Sequence, residues 1–287
     1  MSAWDIASKL TRINQVRQEK PAYKDLLDFY EKIFIAKEEV YQLLKSYPVN
    51  WNEYLVRKKF KAGVPILDKE SIGFYEDILE DFFWKLLKIT EQRNPENGKL
   101  LADFIKEENL AIKKAIAEMW QGVFNPEKWG TVRVGDPTLF YFLLIETLKP
   151  LYEYLAEFLQ ELIELDLWGK GYCPICGENP ALGAIPKEKW TRFLFCIYCG
   201  SEWSFPFLKC PFCENEEEGG IKYLRAGNER DYRLEICQSC QRYLKVVDFD
   251  SLGKPVPLDI ENIVTLHLDI LAQREGYRRG SYHPLLV

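Results

Sequence analysis

The sequence predicts an α+β protein: an N-terminal all-α helical bundle followed by two small metal-stapled β modules and a closing helix. Three observations predict it. Helical periodicity runs through the first part of the chain to about Trp168. After Gly169, Gly, Pro and Cys become frequent and apolar runs shorten to strand length. All eight cysteines lie in that second part, in four Cys-x-x-Cys pairs. The expected segments are 1–168 for the bundle, 169–206 and 207–250 for the two modules, and 251–287 for the helix and tail.

The helical elements follow from three- and four-residue spacing of apolar residues. Residues 23–44 place Leu26, Leu27, Tyr30, Ile33, Phe34 and Tyr41 on one face, and Pro48 closes the segment. Residues 71–91 carry Phe74, Ile78, Phe82, Phe83 and Leu87. Asn94–Gly98 reads as a breaker, with a further helix over 99–120. Asp136 and Pro137 are an N-cap and first-turn pair opening a helix to about Leu167. That helix is apolar most of the way round, as expected of a central bundle member, and Pro150 should kink it. Its stripe of Glu146, Lys149, Glu153, Glu157, Glu161 and Glu164 reads as a solvated face, since no His accompanies it as a carboxylate-bridged metal bundle requires. In the second part, residues 192–197, 222–226, 232–236 and 243–249 read as strands and 258–275 as the closing helix.

Composition restricts function. The chain has 287 residues, 47% of them hydrophobic and 14% aromatic, which supports a large core and argues against disorder. Its net charge is −6, and thiolates on a metal would deepen it. Such a chain gains nothing from phosphate or anionic lipid. The most apolar stretch, 137–145, is far short of the roughly 20 residues a membrane helix needs. The N-terminus has no basic region followed by an apolar one, so the expectation is a cytoplasmic protein with reduced thiols and no membrane insertion.

The cysteine pairs are Cys173/Cys176, Cys196/Cys199, Cys210/Cys213 and Cys237/Cys240, separated by 19, 10 and 23 residues. A Cys-x-x-Cys turn brings two sulfurs to one ion, and a second pair about 15–20 residues later completes a tetrahedral site. Sequential pairing gives two hairpin sites; nested and interleaved pairings are the other two combinations. Gly177 and Gly200 follow the second Cys of their pairs, where a left-handed backbone turns N–H groups toward the sulfurs. Disulfides between residues three apart would be strained rings, and a thioredoxin-like pair needs one motif in a βαβ unit rather than four. Four thiolates suit zinc or rubredoxin-type iron, two ions in all, and leave no ligand position for substrate. His267 and His283 stand outside the pairs and read as surface or packing residues.

These residues resemble the formate dehydrogenase formation (accessory) protein FdhE family. Carrying the resemblance are Cys173-Pro174-Ile175-Cys176-Gly177, Arg192-Phe193-Leu194 before Cys196, Glu202-Trp203, and Tyr243-Leu244-Lys245. The ending with Asp269, Glu275-Gly276-Tyr277, Arg279 and Pro284-Leu285 also matches. In the helical part the likeness rests on Gly63-Val64-Pro65-Ile66-Leu67. His283 stands where the family more often has Asn, and Phe207 where a basic side chain is expected. The resemblance implies rubredoxin-like modules and a cytoplasmic accessory protein, not an enzyme. Its partner would be the catalytic subunit of a molybdenum- or tungsten-dependent formate dehydrogenase.

Two other classes compete. A rubredoxin-like electron carrier would use redox-active iron in the same sites. A zinc-ribbon nucleic-acid binder would need a basic footprint, but residues 170–245 hold 11 Lys or Arg against 10 Asp or Glu. For partner binding, exposed aromatics and Arg make good anchors. Trp203, read as a loop residue between the modules, and tail residues Tyr277, Arg278, Arg279 and Tyr282 are the candidates. If the tail only docks a partner, truncation after Gln273 should leave metal content and stability nearly unchanged.

Overall fold

The computed structural model describes residues 5–70, 75–125, 127, 129, 137–186 and 191–281. Its helices are α1 (Ile6–Glu19), α2 (Lys24–Leu44), α3 (Glu53–Lys61), α4 (Glu76–Arg93), α5 (Pro95–Glu107), α6 (Ile112–Gln121), α7 (Pro137–Gln160), α8 (Leu258–Val264) and α9 (Leu266–Arg274). Its strands are β1 (Leu182–Ile185), β2 (Thr191–Phe195), β3 (Glu202–Pro206), β4 (Ile221–Leu224), β5 (Tyr232–Cys237), β6 (Arg242–Asp248) and β7 (Arg278–Arg279). The mixed α and β class matches expectation. Two compact units form, and they are discontinuous in sequence: Met1–Tyr23, Trp51–Leu67 and Leu155–Tyr282 make one, Lys24–Asn50 and Asp68–Tyr154 the other. Composition alone places a single change near Gly169.

The helical unit packs α2, α4, α5, α6 and the first part of α7 around aromatic residues. Phe83 meets Phe140 edge-on at 5.8 Å, Phe29 stacks on Phe142 at 6.2 Å, and Trp120 tilts over Tyr152 at 5.0 Å. Such pairs add about 0.5–1.5 kcal/mol each beyond their buried area. Three sequence expectations need correction in this unit. The expected breaker ends α4 at Asn94, but residues 95–98 are helical: the Asn94 side chain accepts from Asn97 N–H and caps α5, with Pro95 in the first turn. The segment 99–120 is not one helix, because Asn109 turns left-handed (φ 49°) between α5 and α6. The acidic stripe of α7 is also not uniformly solvated. Glu146 and Lys149 are buried and bonded to each other, and Glu153 accepts from Lys37 Nζ at 2.6 Å. Pro150 lies within α7, whose cap residue Asp136 is outside the described residues.

The other unit is built on a sheet of order β3-β2-β1-β6-β5-β4, with β7 beside β6. Neighbours are antiparallel except β1 with β6 (Leu182↔Lys245 to Ile185↔Asp248) and β7 with β6. The parallel β1–β6 pair therefore joins two three-stranded meanders into one sheet. One face, with Leu182, Ala184, Tyr232, Leu234, Ile236 and Val247, packs on Leu258 of α8 and Leu268 and Ala272 of α9. The expected 258–275 helix is divided at Thr265 into these two. Helix α1 is tied to α8 through charge: Arg12 Nε donates to Glu261 at 2.7 Å and Tyr232 Oη donates to the same carboxylate at 2.5 Å. All three are buried, so removing Arg12 or Glu261 leaves an uncompensated charge, a loss of about 3–5 kcal/mol.

Because β3 and β4 are opposite edges, the connection 207–220 must cross the sheet. It crosses the face bearing Arg192 and Glu235. The Arg192 guanidinium is bonded to Glu235 and to the Lys209 carbonyl, and the Arg233 guanidinium lies 5.2 Å from the Phe207 ring centre. Arg192 is fully buried, so the charges hold this crossing segment in place.

Candidate metal centres

Each Cys-x-x-Cys pair forms the same tight turn. The N–H of the residue after the second Cys donates to the carbonyl of the first: Gly177 to Cys173 (3.0 Å), Gly200 to Cys196 (2.9 Å), Glu214 to Cys210 (3.0 Å) and Gln241 to Cys237 (2.9 Å). All four donor residues are left-handed, with φ of 86°, 70°, 58° and 58°. Glycine suits this at the first two turns. Glu214 and Gln241 adopt it at a cost of about 1 kcal/mol each, a regularity the sequence showed only where Gly stood. Repeated strain at one position of a repeated turn points to a shared geometric demand.

The turns meet in two groups. Cys173, Cys176, Cys196 and Cys199 form one, and Cys210, Cys213, Cys237 and Cys240 the other, with all four sulfurs of each within 4.8 Å of one another. Across the first, Cys173 Sγ lies 3.4 Å from Cys199 Sγ and Cys176 Sγ 3.4 Å from Cys196 Sγ. Across the second, Cys210 to Cys240 is 3.8 Å and Cys213 to Cys237 is 3.6 Å. A metal–sulfur bond of about 2.3 Å in a tetrahedron sets the sulfur–sulfur edge near 3.8 Å. The donor set thus fits one four-coordinate thiophilic ion per group, and the sequential grouping is the one the geometry adopts.

Electrostatics agree. Burial, together with hydrogen bonds among the neighbouring sulfurs, pushes the Cys176 thiol well up. Burial likewise raises Cys196. Burial also acts on Cys199, but hydrogen bonds with Cys173, Cys176, Cys196 and Ser201 bring it well below the usual thiol range. In the second group burial raises Cys210, whereas Cys237, despite burial, is brought down to about 7 by the N–H groups of Cys240 and Ser239. Each group therefore holds a sulfur that favours the thiolate beside others that resist it. A divalent cation at the centre stabilises all four as thiolates.

Backbone segments that the sequence did not assign to the metal sites complete them. The Gly63–Leu67 segment lies over the first turn: Ile66 N–H donates to Pro174 O and Leu67 N–H to Ile175 O, both at 2.9 Å. A Cβ on Gly177 would stand 3.0 Å from Pro65 Cγ. Its only sequence signal was that this pentapeptide carries the likeness in the helical part. Gly171 lies against Pro211 of the third turn and Gly280 against the Phe212 ring.

The candidate anchor residues are placed as follows. Trp203 sits on β3 rather than a loop and is fully buried, with Nε1 donating to Lys170 O at 2.9 Å; it is a packing residue. Arg279 is held inside, donating to Asp269 Oδ1 (3.0 Å) and Asn262 Oδ1 (2.8 Å). Asp269 also accepts from Tyr243 Oη and Lys245 Nζ, and burial, with the Arg279 charge adding to it, draws Lys245 down to about 7. Arg278 is exposed while its N–H donates to Gln241 O at 3.0 Å, Tyr277 is half-buried, and Tyr282 lies outside the described residues. Residues 278–280 thus touch both turns of the second group, through Gln241 and Phe212. The described tail residues therefore pack on the second group. His267 is a packing residue, its Nδ1 2.8 Å from Tyr23 Oη and its Nε2 2.8 Å from Glu229.

Comparison with known proteins agrees with this architecture. Residues 172–206 match the family model "FdhE, central domain" and residues 208–286 match "FdhE, C-terminal domain". The FdhE homolog of Aquifex aeolicus is 26% identical over 272 residues, covering 93% of this chain and 90% of that protein. Protein FdhE of Escherichia coli K12 is 30% identical over 118 residues, which span 40% of this chain and 37% of that one. The crystal structure of the FdhE protein from Pseudomonas aeruginosa superposes with a TM-score of 0.61 at 20% identity, covering 98% of this chain and 95% of that chain, which establishes a shared fold. Family models matched across both cysteine modules, and a relative aligned along nearly the whole chain, together support the FdhE family for this protein.

Proposed function

We propose that this chain is a formate dehydrogenase accessory protein. In this reading it is a non-catalytic adaptor that binds the catalytic subunit of a molybdenum- or tungsten-dependent enzyme in the cytoplasm and is needed for its activity. The eight cysteines ligate two metal ions, zinc or iron, four thiolates to each. The observation that carries the reading is the pair of four-sulfur groups built into one sheet. Four protein ligands complete a tetrahedral shell, so the ions serve to fasten chain segments rather than to activate a substrate. Segments 169–206 and 207–250 act as the two metal modules. No described helix is long and apolar enough to cross a membrane.

The test is co-purification. Tagged full-length protein should capture a formate dehydrogenase catalytic subunit from cytoplasmic extract, and a strain lacking the protein should make that subunit without activity. Metal analysis of the complex should give two ions per accessory chain. A deletion strain with full formate dehydrogenase activity would remove the accessory role. Colour separates the electron-carrier alternative, since ferric rubredoxin-type iron is red and zinc colourless.

A further inference from the structure

The two sulfur groups are chemically alike but differently covered. In the first, Cys173, Cys196 and Cys199 are buried, as are Pro174 and Ile175 between the cysteines of the first turn. The Pro65–Leu67 segment lies over that turn with two backbone hydrogen bonds, and Ser201 Oγ lies 3.2 Å from Cys199 Sγ. In the second, Cys210 and Cys237 are buried, but Cys213 is exposed and Cys240 half-buried. The residues around Cys213 do not cover it: Glu214, Gln238 and Ser239 are exposed, and Phe212 is only half-buried. Asn215 Nδ2 donates to Ser239 Oγ at 2.6 Å and bridges the two turns, but that bond is itself at the surface.

Exchange of a closed four-thiolate ion begins when one sulfur detaches and an incoming ligand takes its place. The barrier depends on whether solvent and the incoming group can reach the metal–sulfur bond and on whether the surrounding shell holds the sulfur in place. In the first group every sulfur except Cys176 is buried. In the second, Cys213 can swing outward without displacing any core residue, while Cys210 and Cys237 stay fixed in the fold.

We propose that the second centre is exchangeable, with a thiophilic cation entering and leaving by way of Cys213, and that the first centre is permanent. This rests on the metal reading above. It divides labour within one sheet. The first ion fastens the turn under Pro65–Leu67. The second stays open to competing soft ligands such as small thiols, to other thiophilic metals and to sulfur electrophiles. Residues 278–280 lean on both turns of the second centre, so its occupancy also governs how firmly the tail is seated.

The experiment uses the full chain loaded with two equivalents of zinc under reducing, anaerobic conditions. N-ethylmaleimide is added, zinc release is followed with a chromogenic chelator, and the alkylated cysteines are located by mass spectrometry. Each alkylation adds a thiolate sulfur across the maleimide double bond; water protonates the adjacent carbon and the zinc–sulfur bond breaks. The expected result is one equivalent released about tenfold or more faster than the other. Cys213 should be labelled first, and Cys173, Cys176, Cys196 and Cys199 last. Release of both equivalents in one phase, or first labelling within 173–199, overturns the inference while leaving the metal reading intact. The Cys213→Ser variant should lose the fast equivalent and keep the slow one; persistence of the fast phase also overturns it. A wild-type chain that binds no zinc removes the metal reading, and the inference with it.

Discussion

Gly171→Ala probes the contact between the two metal modules. Gly171 lies two residues before Cys173, and a Cβ there would stand 1.8 Å from Pro211 O, 2.6 Å from its carbonyl carbon and 2.7 Å from its Cα. Those are backbone atoms of the third turn, between Cys210 and Cys213, so no flexible side chain can absorb the clash. Reaching ordinary contact needs a shift of about 1.5 Å or more. Four-sulfur coordination tolerates only about 0.2 Å at the metal. The substitution therefore either strains the turn or opens the second centre. Overpacking of this kind costs roughly 1–3 kcal/mol, and a backbone obstacle belongs at the upper end. At about 2–4 °C per kcal/mol the melting temperature should fall by roughly 6–12 °C. Metal analysis should find zinc lost from the second centre before the first. Gly219→Ala is the comparison. Its φ is +75° and nothing lies within 4 Å, so it should lose only about 1 kcal/mol and keep both ions. Gly171→Ala protein with wild-type melting and two firmly held ions would refute the close approach on which this reasoning depends.

Truncation after Gln273 should lower both stability and second-centre metal, because it removes β7, the Gly280–Phe212 contact and the Arg279 bonds to Asp269 and Asn262. Arg279→Met alone, leaving those buried acceptors short of a donor, should lose about 2–3 kcal/mol in denaturant unfolding; an unchanged midpoint would mean the tail is not seated as described. Glu229→Gln should act through pH. Burial raises the Glu229 carboxyl, but hydrogen bonds from His267 and Lys20 outweigh it and hold the group below the ordinary carboxylate value. Its contribution is therefore full above the unfolded pKa and lost as pH falls through the folded one. Wild type should exceed the variant by roughly 0.5–1 kcal/mol near neutrality and converge with it in acid, as urea unfolding across pH would measure.

The cysteine groups were legible in the sequence because each is nearly local. Two turns joined by a hairpin bring four sulfurs together whatever surrounds them. Non-local features left weaker traces. The Leu182–Ile185 strand has small residues and only four positions, so β1 and its parallel pairing with β6 gave no periodic signal. Amphipathic spacing says that a helix buries a face but not against what. Hence α1, which joins the sheet through Arg12 and Glu261, read as part of the bundle. Polar pattern misled in the same way at Glu146 and Lys149, which neutralise each other in the interior instead of facing water. Trp203 and Arg279 have the chemistry of binding anchors, but their partners are internal: a carbonyl 33 positions away and a carboxylate from α9.

The most direct measurement is metal stoichiometry with sulfur coordination, on wild-type protein and on a variant carrying Cys173→Ser and Cys196→Ser. Native mass spectrometry with X-ray absorption should give two ions per wild-type chain, each bound by four sulfurs at about 2.3 Å. The variant should keep one ion with an unchanged four-sulfur shell from Cys210, Cys213, Cys237 and Cys240. Loss of both ions, or a surviving ion with fewer than four sulfurs, would contradict two independent four-cysteine centres.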